Sequence, residues 1–374
     1  MGLKKAIKLN QYTKYTTLTL NGKTYSKAAL LTKVKTVELN VSTTSTWEKS
    51  LFRFISEWLD ETAFVIVKTS GSTGKPKLIR LEKDKMVASA KATGHYFQLG
   101  KKTMALLCLP CDYIAGKMMV VRSFVLGMNL LTVSPSSYPL SEKLENVDFA
   151  AMIPLQVANS LAANFVQFNQ IKQVIIGGGA VDSTLLQRLQ KVKPICYATY
   201  GMTETITHIA VKRLNTPQAT AIYQALENVQ FSQDKRGCLV IDALHLSSEK
   251  VTTNDLVHLV NRYTFEWLGR YDNVINTGGI KVHPEQVEKK LAIFISCRFF
   301  IASLPHEKLG NQVILVIEGD ANKSQHLLEI DFKTILSKYE IPKRIYFQSK
   351  FAETPTGKIQ RQQTIQALDL LISY

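Results

Sequence analysis

Acidic residues are scarce in this chain: 30 Asp and Glu stand against 46 Lys and Arg, leaving a net charge of +16 over 374 residues. Such an excess suits polyanionic partners, whether nucleic acid, a membrane surface or phosphorylated small molecules. Its distribution narrows the choice. The first 50 residues hold nine Lys and two Glu, the Lys spaced singly among Thr and Leu, whereas residues 271–374 hold 13 basic and 11 acidic side chains. Dispersal of this kind reads as a solvated lysine-rich surface more readily than as a nucleic-acid arm. Cysteine is sparse too. The five, Cys108, Cys111, Cys196, Cys238 and Cys297, are too few and too scattered for a disulfide framework, so a reducing compartment, the cytoplasm, is expected. Cys108 and Cys111 lie in the apolar run ALLCLPC with no second pair to complete a zinc site, and they read as buried thiols. Long hydrophobic runs are missing as well. Met104–Pro110 and Met118–Val133 are broken by Pro110, Arg122 and Gly127 before the roughly 20 residues that a membrane span needs. The opening MGLKKAIKLN leads into polar residues instead of an apolar signal core, and Ala6 is not the Ser or Thr of a myristoylation signal.

What is present is ordinary globular material, 45% hydrophobic and 20% charged, in a chain long enough for a large domain and a smaller one. Residues 15–45 alternate as strands (YTTLTLNGKTY, VKTVELNV), with a hairpin turn at Asn21–Gly22. In SLFRFISEWLDE, Leu51, Phe52, Ile55, Trp58 and Leu59 recur at helical spacing. From there to about residue 210, short apolar strands (AFVIVKT, MALLCLP, NLLTVS, FAAMIP, QVIIGGG) alternate with helical stretches, the pattern of an α/β domain with a mainly parallel sheet. A β-rich patch follows at 236–268. Helix EQVEKKLAIF, strand QVILVIEG and helix LLEIDFKTILSKY then predict a small α+β domain, with the boundary at Gly269–Asn273. The division is therefore 1–270 and 271–374.

Four segments carry chemistry. VKTSGSTGKPKLIRL at 67–81 is a strand, a Thr/Ser/Gly loop with two lysines, and a second strand. Its backbone N–H groups, hydroxyls and ammonium groups suit phosphate oxygens. It is not a Walker loop: two residues separate Gly71 from Gly74, Pro76 stands where Ser or Thr would bind magnesium, and LIRL is no helix. YGMTET at 200–205, GRYDNVINTGGIKVHPEQVE at 269–288 and TPTGKIQR at 354–361 complete the set.

In kind and order these segments resemble those of the acyl-adenylate-forming superfamily, the acyl- and aryl-CoA synthetases related to luciferases and peptide-synthetase adenylation domains. The resemblance covers roughly residues 60–361. It implies ATP, Mg²⁺ and coenzyme A as reactants or cofactors, a carboxylic acid as substrate, and a mobile C-terminal domain. It assigns Thr69, Ser70, Gly71, Ser72, Thr73, Gly74 and Lys75 to the ATP β- and γ-phosphates. Tyr200 is assigned to the adenine, Gly201 and Met202 to cofactor binding beside it in sequence, Thr203 to the α-phosphate and Glu204 to Mg²⁺. IIGGGA at 175–180 places Gly178, Gly179 and Ala180 by the adenine and acyl group. TNDLVHL at 253–259 resembles T-G-D-L-V-E-L, so Asp255 takes the ribose hydroxyls, although Asn254 replaces the usual Gly. Arg270 is a second ribose contact, Asp272 the hinge, Gly278 and Gly279 the wall of the pantetheine tunnel, and Lys358 the catalytic lysine.

LPCDYIAGKMMVVRSFVLG at 109–127 occupies the place of the family's L-P-L-F-H-x-x-G segment, with Asp112 for the aromatic and Tyr113 for the His. Together with YGMTETITHIA and a short N-terminal region, it most resembles the o-succinylbenzoate-CoA ligases of menaquinone synthesis in abbreviated form. That acid has two carboxylates. One is activated, and Tyr113, Lys117, Arg122, Thr207 and His208 are the candidates to border the pocket or bind the other. A solvated helix face for Lys117 and Arg122, and a packed histidine at 208, are the alternatives. Transfer to a carrier-protein thiol and a non-catalytic nucleic-acid-binding role also stay open, the latter without any recognised motif. Neither nucleic acid nor stable membrane insertion is expected, and homo-oligomer formation is left open.

Overall fold

In this computed structural model the described residues are 10–40, 44–68, 78–140, 144, 146–320, 327, 329–354 and 359–368. Strands β1 (Leu18–Leu20) and β2 (Lys23–Tyr25) form the expected hairpin, with Asn21 and Gly22 both at positive φ, as a two-residue turn favours. VKTVELNV, expected as a strand, instead lies in helix α1 (Lys27–Leu39) as far as Leu39. The Ser26 hydroxyl caps that helix by accepting the Ala29 N–H, and Leu30 and Val34 bury one turn apart. Their four-residue spacing faces α1 onto α2 (Thr46–Leu59), overriding the β-branched composition.

Strands β3 (Phe64–Lys68) and β4 (Leu78–Glu82) pair antiparallel and end at Lys68 opposite Leu78. The Thr69–Lys75 phosphate loop joins them and lies outside the described residues. Then α3 (Lys83–Phe97), β5 (Met104–Leu107), α4 (Ile114–Leu126), β6 (Asn129–Thr132), β7 (Phe149–Met152), α5 (Pro154–Ala163), α6 (Phe165–Phe168), β8 (Gln173–Ile176), α7 (Ser183–Leu189) and β9 (Ile195–Gly201) alternate as expected. Strands β6, β5, β7, β8 and β9 lie side by side and parallel. Because they are parallel, their carboxyl ends share one edge, where open α/β sheets bind ligands.

The sheet continues antiparallel through β10 (His208–Arg213), β11 (Ile222–Ala225), β12 (Gln230–Gln233), β13 (Cys238–Asp242), β14 (Val251–Asn261) and β15 (Thr264–Arg270), in the order β12-β13-β14-β15-β11-β10-β9. A second sheet starts at β16 (Ile275–Thr277) and β17 (Ile280–Val282); after α8 (Pro284–Leu291) it adds β18 (Phe299–His306), β19 (Gly310–Glu318) and, past α9 (Phe332–Ile335), β20 (Arg344–Gln348). It has its own core of Ile275, Val287, Leu291, Ile301 and Leu315. The helix expected over LLEIDFKTILSKY is reduced to α9. Asp331 caps it late, by accepting the Lys333 N–H at 3.1 Å, and Leu336 turns extended to bury in this core. Helix α10 (Arg361–Gln366) ends the described chain, and Lys358 lies outside the described residues. Among those described, no helix is long and apolar enough to cross a membrane.

Candidate active site

YGMTET ends β9 and turns into β10. Gly201 is required at the close approach of the two strands, since a Cβ there would stand 2.3 Å from the Thr207 carbonyl oxygen. Thr203–Thr205 form one 3-10 turn that leaves Glu204 exposed, while Thr205 is buried. The Thr205 hydroxyl accepts the Met202 N–H at 3.2 Å and donates to the Thr207 carbonyl at 2.9 Å. Ile206 then takes φ 66° and ψ −61°, and the Thr207 N–H reaches the Thr205 carbonyl at 2.7 Å. This is a γ-turn of the rare, strained hand, at a β-branched residue. Strain of roughly 1–3 kcal/mol persists only where the surroundings over-determine it, and it marks functional turns. The turn thus holds Thr203 and Glu204 at the carboxyl edge of the sheet in a fixed shape.

Asp255, on β14, is 7% exposed and richly contacted. The Tyr200 hydroxyl donates to its Oδ2 at 2.6 Å, the Trp267 indole N–H donates to its Oδ1 at 3.2 Å, and an Arg270 nitrogen stands 3.6 Å away. Burial, then the Asp255 charge, push the Tyr200 phenol up, so it keeps its proton and donates. Arg270 also donates to Asp272 at 2.9 Å. Asp272, exposed on the turn between β15 and β16, is held from the other side by the Asn254 amide, 3.2 Å from each of its oxygens. The residue that departs from the family pattern, Asn254, is therefore the one that holds the Asp272 carboxylate.

The third group lies on α4, whose residues Gly116–Phe124 are all buried. This removes the solvated-face alternative for Lys117 and Arg122. The Lys117 ammonium pairs with Glu57 at 2.9 Å and stands over the Phe54 ring, so its charge is already matched. Arg122 is different. At 2% exposure, its guanidinium has the Thr207 hydroxyl at 3.1 Å and the Met119 sulfur at 3.5 Å; Nε has no partner, and no carboxylate pairs with it among the described residues. Burial pushes it down to about 10, which leaves it cationic at neutral pH. His208 is packed between the Thr207 and Thr93 hydroxyls, 3.0 and 3.4 Å away. Burial, then the Arg122 charge, hold it well below its usual 6.5, so it is neutral. Tyr113, at the start of α4, is 38% exposed.

Gly178, Gly179 and Ala180 form the exposed turn after β8, on the same carboxyl edge as Gly201, and Gly178 needs its φ of 81°. Gly278 and Gly279 form the exposed β16–β17 turn of the second sheet. Sequence reasoning missed Trp267, Thr93 and Glu57, three partners of site residues. No motif marks them, although an indole on the strand paired with that of Asp255 is a donor worth pairing.

Residues 13–230 match the family described as AMP-binding enzyme, and the chain belongs to it. Among particular relatives, it is 23% identical over 324 residues to a 2-succinylbenzoate–CoA ligase of Listeria monocytogenes, covering 79% of this chain and 68% of that one. A solved acyl-CoA synthetase (AMP-forming)/AMP-acid ligase II-like protein from Dyadobacter fermentans is 36% identical, with a TM-score of 0.60, over 88% of this chain and 97% of that one. The O-succinylbenzoate coenzyme A synthetase of Bacillus subtilis, solved with ATP and a magnesium ion, shares the fold: TM-score 0.71, 15% identity, 95% of this chain and 99% of that one.

Proposed function

We propose that this AMP-binding enzyme activates 2-succinylbenzoate with ATP as an acyl-adenylate and transfers the acyl group to coenzyme A, in menaquinone synthesis. The observation that carries the choice of acid is Arg122, a buried cation with no carboxylate partner among the described residues. A buried charge is costly unless paired, and an acid that keeps a second carboxylate after activation supplies the pair. Thr207, which accepts from Arg122, links that guanidinium to the turn bearing Glu204.

In the first half-reaction a substrate carboxylate oxygen attacks the α-phosphorus, and the bond to pyrophosphate breaks. Asp255 and Arg270 hold the ribose, Tyr200 lines the adenine, and Thr203 bonds the α-phosphate. Glu204, an exposed carboxylate on a fixed turn, fits a hard Mg²⁺ ion, which when bound offsets phosphate charge. The Thr69–Lys75 loop and Lys358, both outside the described residues, are assigned to the phosphates and to the charge developing at the reacting centre. In the second half-reaction the thiol attacks the acyl carbon and AMP leaves. Residues 271–374 turn about Asp272 for this step, bringing the Gly278–Gly279 turn to the pantetheine arm.

The test is pyrophosphate release with ATP and Mg²⁺ over a panel of acids, with coenzyme A or a carrier-protein thiol as acceptor, beside Lys358→Ala. Release with 2-succinylbenzoate, a coenzyme A thioester and a loss of roughly a hundredfold or more in the variant are expected. Release only with monocarboxylic acids would overturn the substrate.

A further inference from the structure

Trp267 has no part in the motifs, yet its indole N–H donates to Asp255 Oδ1 at 3.2 Å. Simple strand alternation does not bring it there. Between β14 and β15, Asp255 pairs with Arg270 and Leu256 with Gly269, but Val257 pairs with Trp267, so Leu268 is an extra residue on β15. Without that bulge, Trp267 would stand opposite His258, on the other face of the sheet. The bulge turns the indole onto the face that carries Asp255 and Arg270.

A carboxylate offers about four acceptor positions. Two are taken by side-chain donors fixed in the protein, Tyr200 on Oδ2 and Trp267 on Oδ1, while the nearest Arg270 nitrogen stands off at 3.6 Å. One position therefore remains on each oxygen, a match for two vicinal hydroxyls. We propose that Trp267 is a positioning residue for the nucleotide sugar: with Tyr200 it fixes the plane of the Asp255 carboxylate, and so makes the site prefer a ribose over a deoxyribose. This rests on the reading of Asp255 as the ribose ligand, and adds to it the residue that sets the carboxylate's orientation.

Calorimetric affinities for magnesium ATP, 2′-deoxy-ATP and 3′-deoxy-ATP, measured on the full chain and on Trp267→Phe, test it without reference to any acid. The parent is expected to favour ATP over at least one deoxy analogue by about tenfold, the scale of one hydrogen bond to a charged group. In Trp267→Phe, ATP weakens by about tenfold while the disfavoured analogue scarcely changes, so the ratio between them falls toward one. Trp267→His, which retains a ring N–H, restores part of the ratio. Trp267→Leu gives the same reading should the phenylalanine variant not fold. A general structural defect would weaken all three nucleotides alike and leave the ratio standing. Retention of the parent's ratio in Trp267→Phe overturns the role of Trp267 alone. A parent that binds all three equally overturns the ribose reading of Asp255, and this proposal with it.

Discussion

Two charges sit at opposite sides of the β9–β10 turn in opposite circumstances. Asp255 is surrounded by donors, with Tyr200 and Trp267 hydrogen-bonded to it and an Arg270 nitrogen 3.6 Å away. Arg122 is at least as deeply buried, yet has one hydroxyl, one sulfur and no carboxylate among the described residues. A charge satisfied by the protein is oriented in advance, and it binds by offering what remains of its capacity. A charge left short of partners stores a penalty that a ligand of opposite sign relieves. The first arrangement favours geometric discrimination; the second favours selection by charge.

The largest effect should come from removing the unmatched charge. Arg122→Met is expected to lower kcat/KM for 2-succinylbenzoate by more than about a hundredfold, the scale of breaking a buried pair of about 3–5 kcal/mol. The melting temperature should hold or rise, because the apolar chain carries no desolvation cost. A fall in melting temperature with activity intact would make Arg122 a structural residue and end the comparison. A smaller effect is expected at the satisfied charge: Asp255→Asn keeps the shape and should raise KM for ATP by about tenfold, with little change for the acid. Equal losses for both substrates would mean that the two regions are not separable.

The smallest effect concerns His208, which reports how dry the Arg122 region is. Its folded value lies well below the usual 6.5, so between the two values the unfolded chain binds a proton that the folded chain refuses. Stability from this group is complete above pH 6.5 and declines below it, by up to about 1.4 kcal/mol per pH unit. Urea unfolding at pH 5.5 and 7.5 should show a steeper loss in the parent than in His208→Asn. Equal slopes would mean that water and protons reach the histidine, and that the region is not dry.

Much of this site was legible because its residues come in short contiguous segments. YGMTET and TNDLVHL each place a candidate side chain within a few residues of its neighbours, and Tyr200 and Asp255 do meet. Long-range matching was not legible. Charge alone made Lys117 and Arg122 equivalent, and only Glu57, from another helix, separates the neutralised one from the unmatched one. Trp267 was hidden by arithmetic: counting back from Arg270 by twos puts it on the wrong face, and the Leu268 bulge reverses the count. In α1 the β-branched run of VKTVELNV outweighed the Ser26 cap and the Leu30–Val34 spacing in the reading, and the fold weighed them the other way.

The same bulge has a mechanical side. An extra residue leaves a backbone group outside the ladder, and the Leu268 carbonyl is taken by the Gln286 amide of α8 at 2.6 Å. The strand that aims the indole at Asp255 is thus latched to the second sheet's first helix. The proposed rotation of residues 271–374 about Asp272 would have to release that latch, at a cost of about 1 kcal/mol. That release would fall one residue from Trp267, so the proposed grip on the sugar would gauge which way the small domain faces.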